Sequence, residues 1–175
     1  MTTKKDYTNE EWNQLLESPL QAGYYVIYAD PSITGVFKEM KALYKAILEQ
    51  TIPDGAKDLV GSLVADIKEK SENKEEMPSS DDMSKGDPKE VMARMLEFVK
   101  GVVVLVDAKA TSEEAVRFKE WLYVVAKAVS EAAKEGGLMG MGGEQVSNNE
   151  KTALENLKST LHLWQLICTS EEVRE

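Results

Sequence analysis

The sequence predicts an all-α protein, a single-domain bundle of about seven helices. Two observations carry this prediction. Four residue pairs have the spacing of helix capping boxes, and apolar residues recur at helical spacing through most of the chain. The chain has 175 residues, 42% of them hydrophobic. That length suits one domain, and that hydrophobic fraction is ordinary for a chain that builds a core.

The composition also disfavours several classes of protein. The net charge of −10 opposes binding to nucleic acid or anionic membranes, because such binding relies on Lys and Arg displacing counterions. The longest apolar stretches, residues 22–29 and 101–106, are much shorter than the roughly 20 residues of a membrane-spanning helix. The polar amino terminus lacks the apolar core of a signal peptide. The single cysteine, Cys168, excludes an internal disulfide and indicates a cytoplasmic protein.

The predicted helix starts rest on the capping boxes. In each, a side chain that accepts an N–H bond precedes a glutamate by three positions. The pairs are Thr8 with Glu11, Asp87 with Glu90, Thr111 with Glu114, and Ser147 with Glu150.

In the first fifty residues, a helix over 9–17 is expected to end at Ser18 and Pro19. Ser18 would cap the next helix, over 20–29, with Pro19 at its tolerated first position. The tyrosine-rich run within 20–29 also suits a β-strand. Helix is preferred because the chain has no second convincing strand. A third helix is expected over 35–50, with Val36, Met40, Leu43 and Ile47 as its apolar face.

The middle of the chain predicts one more helix and a linker. Asp54 is expected to cap a helix that ends near Lys70, with Leu59, Leu63 and Ile67 in the core, supported by Val60 and Val64. Residues 71–86 have too few apolar groups to offset the entropy of ordering. We therefore expect a flexible acidic segment between helices, within one domain spanning residues 1–175.

Three long helices complete the prediction. The first runs from Pro88 to about Asp107, with Val91, Met95, Phe98, Val102 and Leu105 at helical spacing. The second covers 112–135 and repeats Ala115, Phe118, Leu122, Val125, Val129 and Ala132. The last covers 148–168, with Leu154, Leu157, Leu161, Trp164 and Cys168 in a stripe. Leu122, Val125, Leu157 and Leu161 are the residues most strongly predicted for the core.

The most unusual feature is a loop with five glycines between positions 136 and 143. A left-handed helix cap explains Gly136, but not the others. The loop could pack on neighbouring helices, dock a partner through its apolar side chains, or cradle an anion with backbone N–H groups. The candidate ligand or partner residues are Lys134, Gly136, Gly137, Leu138, Met139, Gly140, Met141, Gly142, Gly143 and Lys151.

Other chemistry finds little support in the sequence. The loop matches neither the dinucleotide fingerprint nor the P-loop. The single histidine, His162, has Ser159 rather than a glutamate three residues earlier, so the di-iron motif is absent. His162 and Cys168 are six positions apart, a spacing that does not place both on one helix face as a catalytic dyad would require. We therefore expect no metal, no cofactor and no catalytic residues.

The loop nevertheless resembles that of a family of small bacterial and archaeal proteins of no known activity. Their pattern is Glu-Gly-Gly-Phe-Leu-Gly-Phe-Gly-Gly, followed by Val-Ser-x-x-Glu-Lys. Residues 135–143, Val146, Ser147, Glu150 and Lys151 match it, with Leu138 and Met141 in place of the phenylalanines and Met139 in place of the leucine. A fainter resemblance is to TerB-like tellurite-resistance helical proteins, although their Asp-Gly signature is missing here. Both resemblances imply a helical fold and neither implies an activity.

The function predicted from these features is a non-catalytic helical interaction module. A surplus of large apolar residues, including Trp12, Tyr24, Tyr25, Trp121, Tyr123 and Trp164, indicates self-association or binding to another protein. The alternative is a small-molecule or anion-binding protein, or an enzyme of unfamiliar type, that uses residues 136–143.

Overall fold

The computed structural model describes residues 1–30, 36–49, 58–78, 85–134 and 147–163. All regular secondary structure in these ranges is helical, which confirms the predicted fold class. None of the described helices has the length and apolarity needed to cross a membrane. A short 3-10 helix, Lys4–Asp6, precedes six α-helices: α1 (Asn9–Ile27), α2 (Val36–Leu48), α3 (Leu59–Asn73), α4 (Pro88–Lys109), α5 (Ser112–Lys134) and α6 (Asn148–Thr160).

Helix α1 corrects the prediction of two helices in this region, because it runs through Ser18 and Pro19 without a break. Proline has no N–H, so the carbonyl of Leu15 loses its usual partner four residues later. The Ser18 hydroxyl, fully buried, donates to that carbonyl over 2.8 Å. Ser18 therefore repairs the helix instead of capping a new one. The tyrosine-rich run is helical through Ile27, with Tyr28 as the carboxyl-terminal cap, and is not a strand.

Three of the four predicted capping boxes are present. Thr8 and Glu11 bond each other's backbone N–H groups, as do Thr111 with Glu114 and Ser147 with Glu150. The fourth start differs in detail, since Asp87 caps α4 by accepting from the N–H of Lys89 over 2.9 Å.

Helix α3 begins at a different cap from the predicted Asp54, which lies outside the described residues. Asp58 caps it by accepting from the N–H of Gly61 over 2.8 Å. The predicted core residues of α3 are all buried. The helix continues to Asn73, so the segment predicted as flexible, 71–86, begins with helical residues, and its positions 79–84 are not described.

Two further boundaries or faces differ from expectation. On α4, Phe98 and Leu105 are half-buried, whereas Val99, Val103 and Val106 are buried. Valines occur on several sides of this helix, so the sequence alone does not show which side faces the core. Helix α6 ends at Thr160, well before Cys168, which is not described. Its end is a Schellman turn with His162 at a φ of 56°, where glycine is the usual residue.

The helices pack around a core to which all six contribute. Helix α1 packs most extensively on α5 and α4, and α5 also packs along α2. The four residues predicted most strongly for the core, Leu122, Val125, Leu157 and Leu161, are fully buried. The contacts bring the carboxyl end of α1 and the amino ends of α2 and α6 to one end of the bundle, where a Glu39 carboxyl is close enough to interact with Glu150 and Asp30.

Candidate functional site

The glycine-rich loop predicted as a site, residues 136–143, lies outside the described residues. Its flanks are described. Lys134 is the last residue of α5, and Lys151 is exposed in the first turn of α6. Ser147 and Glu150 fix the start of α6 through their capping box. The loop therefore connects the end of α5 to the capped start of α6.

A buried carboxyl lies at the same end of the bundle. Glu39, in the first turn of α2, is 2% exposed, and its Oε2 atom has no hydrogen-bond partner among the described residues. Burial, followed by the negative charges of Glu150 and Asp30, raises the pKa of Glu39 to about 7. This carboxyl can therefore change its charge near neutral pH.

The position of Glu39 in the sequence indicates that its side chain is buried. Glu39 precedes Leu43 by four positions and Ile47 by eight, so it shares the core-facing stripe of α2. An acidic residue in such a stripe is rare enough to be informative, because buried carboxylates are costly unless paired.

Metal binding gains no support from the described part of the chain. There, no group of three His, Cys, Asp or Glu side chains could hold a metal ion. His162 is exposed at the end of α6, so it also offers no buried catalytic base. Glu39 is too enclosed to contact a substrate directly, and we assign it no catalytic role.

A second feature is the outward face of α2, which combines aromatic and basic side chains. Phe37 is 86% exposed and Tyr44 is 45% exposed. Lys38, Lys41 and Lys45 are exposed beside them. The three lysines recur at intervals of three and four residues, so they lie on one side of the helix.

These lysines line an open groove of about 480 Å³ between α2 and α5. Its other lining residues are Ala42, Ala128, Glu131 and Ala132. The alanines make a shallow apolar floor, and the long side chains form the rim. We call this groove, together with the neighbouring Phe37, the α2 surface.

The charge on the α2 surface is opposite to that of the whole protein. Three lysines face one carboxylate, Glu131, whereas the chain carries a net charge of −10. Two loose ion pairs involve these residues: Lys45 with Glu49 at 3.6 Å and Glu131 with Lys127 at 3.9 Å. The first offsets the charge of a lysine, whereas the second offsets the charge of Glu131. Exposed pairs of this kind contribute little, so Lys45 can exchange Glu49 for a partner's carboxylate at low cost.

The aromatic residues that suggested self-association lie elsewhere. Trp12, Tyr25 and Trp121 are buried, and Tyr24 and Tyr123 are half-buried against the core. These five side chains help to fill the bundle, and Trp164 lies outside the described residues. The apolar pattern of α2 does not predict the α2 surface. The spacing of the three lysines, which is visible in the sequence, is the signal that indicates it.

Comparisons with protein-family models, with characterised proteins and with solved structures find no match for this chain. Its function must therefore be argued from its own residues.

Proposed function

We propose that this protein is a helical interaction module whose α2 surface docks an acidic, amphipathic helix of a partner protein. The observation that carries the proposal is Phe37, a large aromatic side chain that is 86% exposed beside a row of three lysines. Aromatic residues are enriched at protein interfaces and among the side chains that carry most of the binding energy.

The shape of the groove suits a helix. Ala42, Ala128 and Ala132 keep its floor low, so a partner backbone can approach without displacing bulky side chains. Apolar residues of the incoming helix would cover the alanines and Phe37, while its carboxylates would meet the lysines. This is helix-in-groove recognition with charge complementarity.

The same charges argue against a symmetric dimer through this surface. A two-fold axis would place the three lysines of one copy against those of the other, and like charges oppose such an approach. An acidic partner avoids this cost. Nucleic acid is also acidic, but the net charge of −10 would repel its extended phosphate backbone.

The alternative of anion binding by the glycine-rich loop has less support. Glu150 lies in the first turn of α6, at the end of the bundle where that loop joins the helix, and its negative charge opposes an anion. With one cysteine in the chain, we place the proposed interaction in the reducing cytoplasm.

The test uses a fluorescein-labelled 18-residue helical peptide with leucines on one face and glutamates on the other. Fluorescence anisotropy should show saturable binding that weakens as salt is added, because surface charge attraction is screened. Lys41→Glu should weaken binding roughly three- to tenfold, and Phe37→Ser at least about fivefold, in line with loss of one rim charge or one aromatic anchor.

Two controls separate docking from general charge effects. Lys100→Glu changes an exposed lysine on α4, whose ion pair with Glu97 at 3.0 Å is also exposed, and should leave the affinity within about twofold. A peptide with lysines in place of the glutamates should not bind. Equal loss of affinity for the Lys41 and Lys100 variants would refute a site on α2, and sedimentation of the protein alone would reveal self-association instead.

A further inference from the structure

A second recess lies on the other flank of α2, enclosed by α1, α2, α3 and the residues after α3. Its volume is about 260 Å³. Leu16, Leu20, Ile47 and Ile67 in its walls are buried members of the core. The remaining apolar lining is Pro19, Leu48 and Met77.

The volume and lining suit a small apolar body. An apolar cavity of roughly 150 Å³ stays dry in water and binds benzene, so a recess of about 260 Å³ accommodates a somewhat larger group. It lies just below the usual range for ligand pockets, roughly 300–1,000 Å³.

Polar groups are confined to the mouth of the recess. The side chains there are Tyr44, Ser71, Lys74 and Glu75. Glu75 forms an ion pair with Lys70 over 3.1 Å, and this pair offsets the negative charge of Glu75. Lys74 has no ion pair within the described residues, so the mouth has one uncompensated positive charge and two hydroxyl groups.

Lys74 lies at the mouth in a Schellman turn, at a position that glycine usually occupies. Helix α3 ends in a Schellman turn, in which the N–H of Glu75 donates to the carbonyl of Lys70 over 2.9 Å. Lys74 occupies its left-handed position with a φ of 58°, where glycine is usual and other residues are mildly strained. A lysine here also interacts favourably with the helix dipole, but its side chain additionally borders an apolar recess.

We infer that this recess binds a small amphipathic molecule with an unbranched apolar body and a single anionic head, the body among the core side chains and the head at Lys74. The inference is independent of the proposed docking surface. Charge complementarity with Lys74 selects the anionic head, and the hydroxyl groups of Ser71 and Tyr44 can donate to it.

The test compares three probes of equal chain length: octanoate, octyl phosphate and the neutral 1-octanol. Octylamine supplies the opposite charge. Thermal melts should show stabilisation by the two anions at lower concentrations than by octanol, with octanoate binding roughly tenfold tighter, as expected for one charge-assisted contact. The ranking of octanoate and octyl phosphate distinguishes a carboxylate from a phosphate head.

Variants of Lys74 test the contact directly. Lys74→Gln should remove the advantage of octanoate over octanol, Lys74→Arg should retain it, and Lys100→Gln should change nothing. The methyl group of Met77, labelled with ¹³C and assigned through Met77→Leu, should shift on addition of octanoate, whereas Met92 on α4 should not.

Each remaining outcome overturns the inference. Equal binding of octanol and octanoate would show an apolar site with no preference for an anion. Preference for octylamine would reverse the assigned charge. Absence of any melt shift or Met77 shift at millimolar probe would show that the recess is only a packing defect, while the peptide experiment on the α2 surface would be unaffected.

Discussion

At the residue scale, Glu39 ties the stability of the fold to pH. Its carboxyl is enclosed, one oxygen lacks a partner among the described residues, and both nearby charged groups, Glu150 and Asp30, are acidic. The folded state therefore favours the protonated form. The sequence contains the position of Glu39 in the core stripe, but the approach of Glu150 from another helix depends on how α2 and α6 pack and is not visible in one sequence.

The raised pKa gives the direction of the pH effect. The pKa of Glu39 rises from 4.5 to about 7 on folding, so between these values the folded chain holds a proton that the unfolded chain has lost. The stabilising contribution of this proton is present below pH 4.5 and is lost as pH rises through about 7, a change on the order of 3 kcal/mol at most.

We expect Glu39→Gln to remove this dependence, because the amide is always neutral. In urea unfolding at pH 5 and pH 8, the variant should gain stability relative to the parent only at the higher pH. Glu155→Gln, at an exposed position on α6, is the control and should track the parent. A constant difference between Glu39→Gln and the parent at both pH values would contradict the raised pKa.

At the element scale, α1 shows where sequence reasoning succeeds and where it stops. Its amino-terminal cap at Thr8 is local and was predicted correctly. Its continuity through Pro19 depends on burial, because a proline inside a helix costs roughly 3 kcal/mol and is tolerated here within a helix packed on several sides. The hydroxyl of Ser18 supplies the missing donor. This role was not predicted, because Ser18 was expected to cap a new helix.

Ser18→Ala should therefore be costly for so small a change. It leaves the buried carbonyl of Leu15 without a donor, with an expected loss of about 1–3 kcal/mol. Ser130→Ala is the matched control, because the Ser130 hydroxyl is also buried and donates to the carbonyl of Lys127 over 2.9 Å. No proline follows there, so that carbonyl keeps its helical N–H, and the loss should be clearly smaller. Equal losses in thermal melts would show that Ser18 does not repair the helix.

At the scale of the whole molecule, the sequence predicts the elements better than their arrangement. Five helices were expected near their observed positions because apolar spacing and caps are local signals. The groove between α2 and α5 and the recess beside Lys74 were not expected, since both arise from contacts between segments distant in the chain. The helix ends at Lys74 and His162 were also missed, because neither turn contains the glycine that usually marks it.

The packing of α2 on α1 provides the last prediction. Gly23 lies in α1 at this crossing, and a Cβ added there would lie 2.3 Å from Cδ1 of Leu43. Leu43 is fully buried and has little room to move, so Gly23→Ala should cost about 1–3 kcal/mol by overpacking. Gly101→Ala is the matched control, because nothing lies within 4 Å of its added Cβ. It should stabilise the protein by about 0.5–1 kcal/mol, since alanine favours the helix. Urea unfolding of both variants measures the contrast. If Gly23→Ala is as stabilising as Gly101→Ala, α1 and α2 do not approach this closely. The groove and the recess, which are both lined by α2, would then have different shapes.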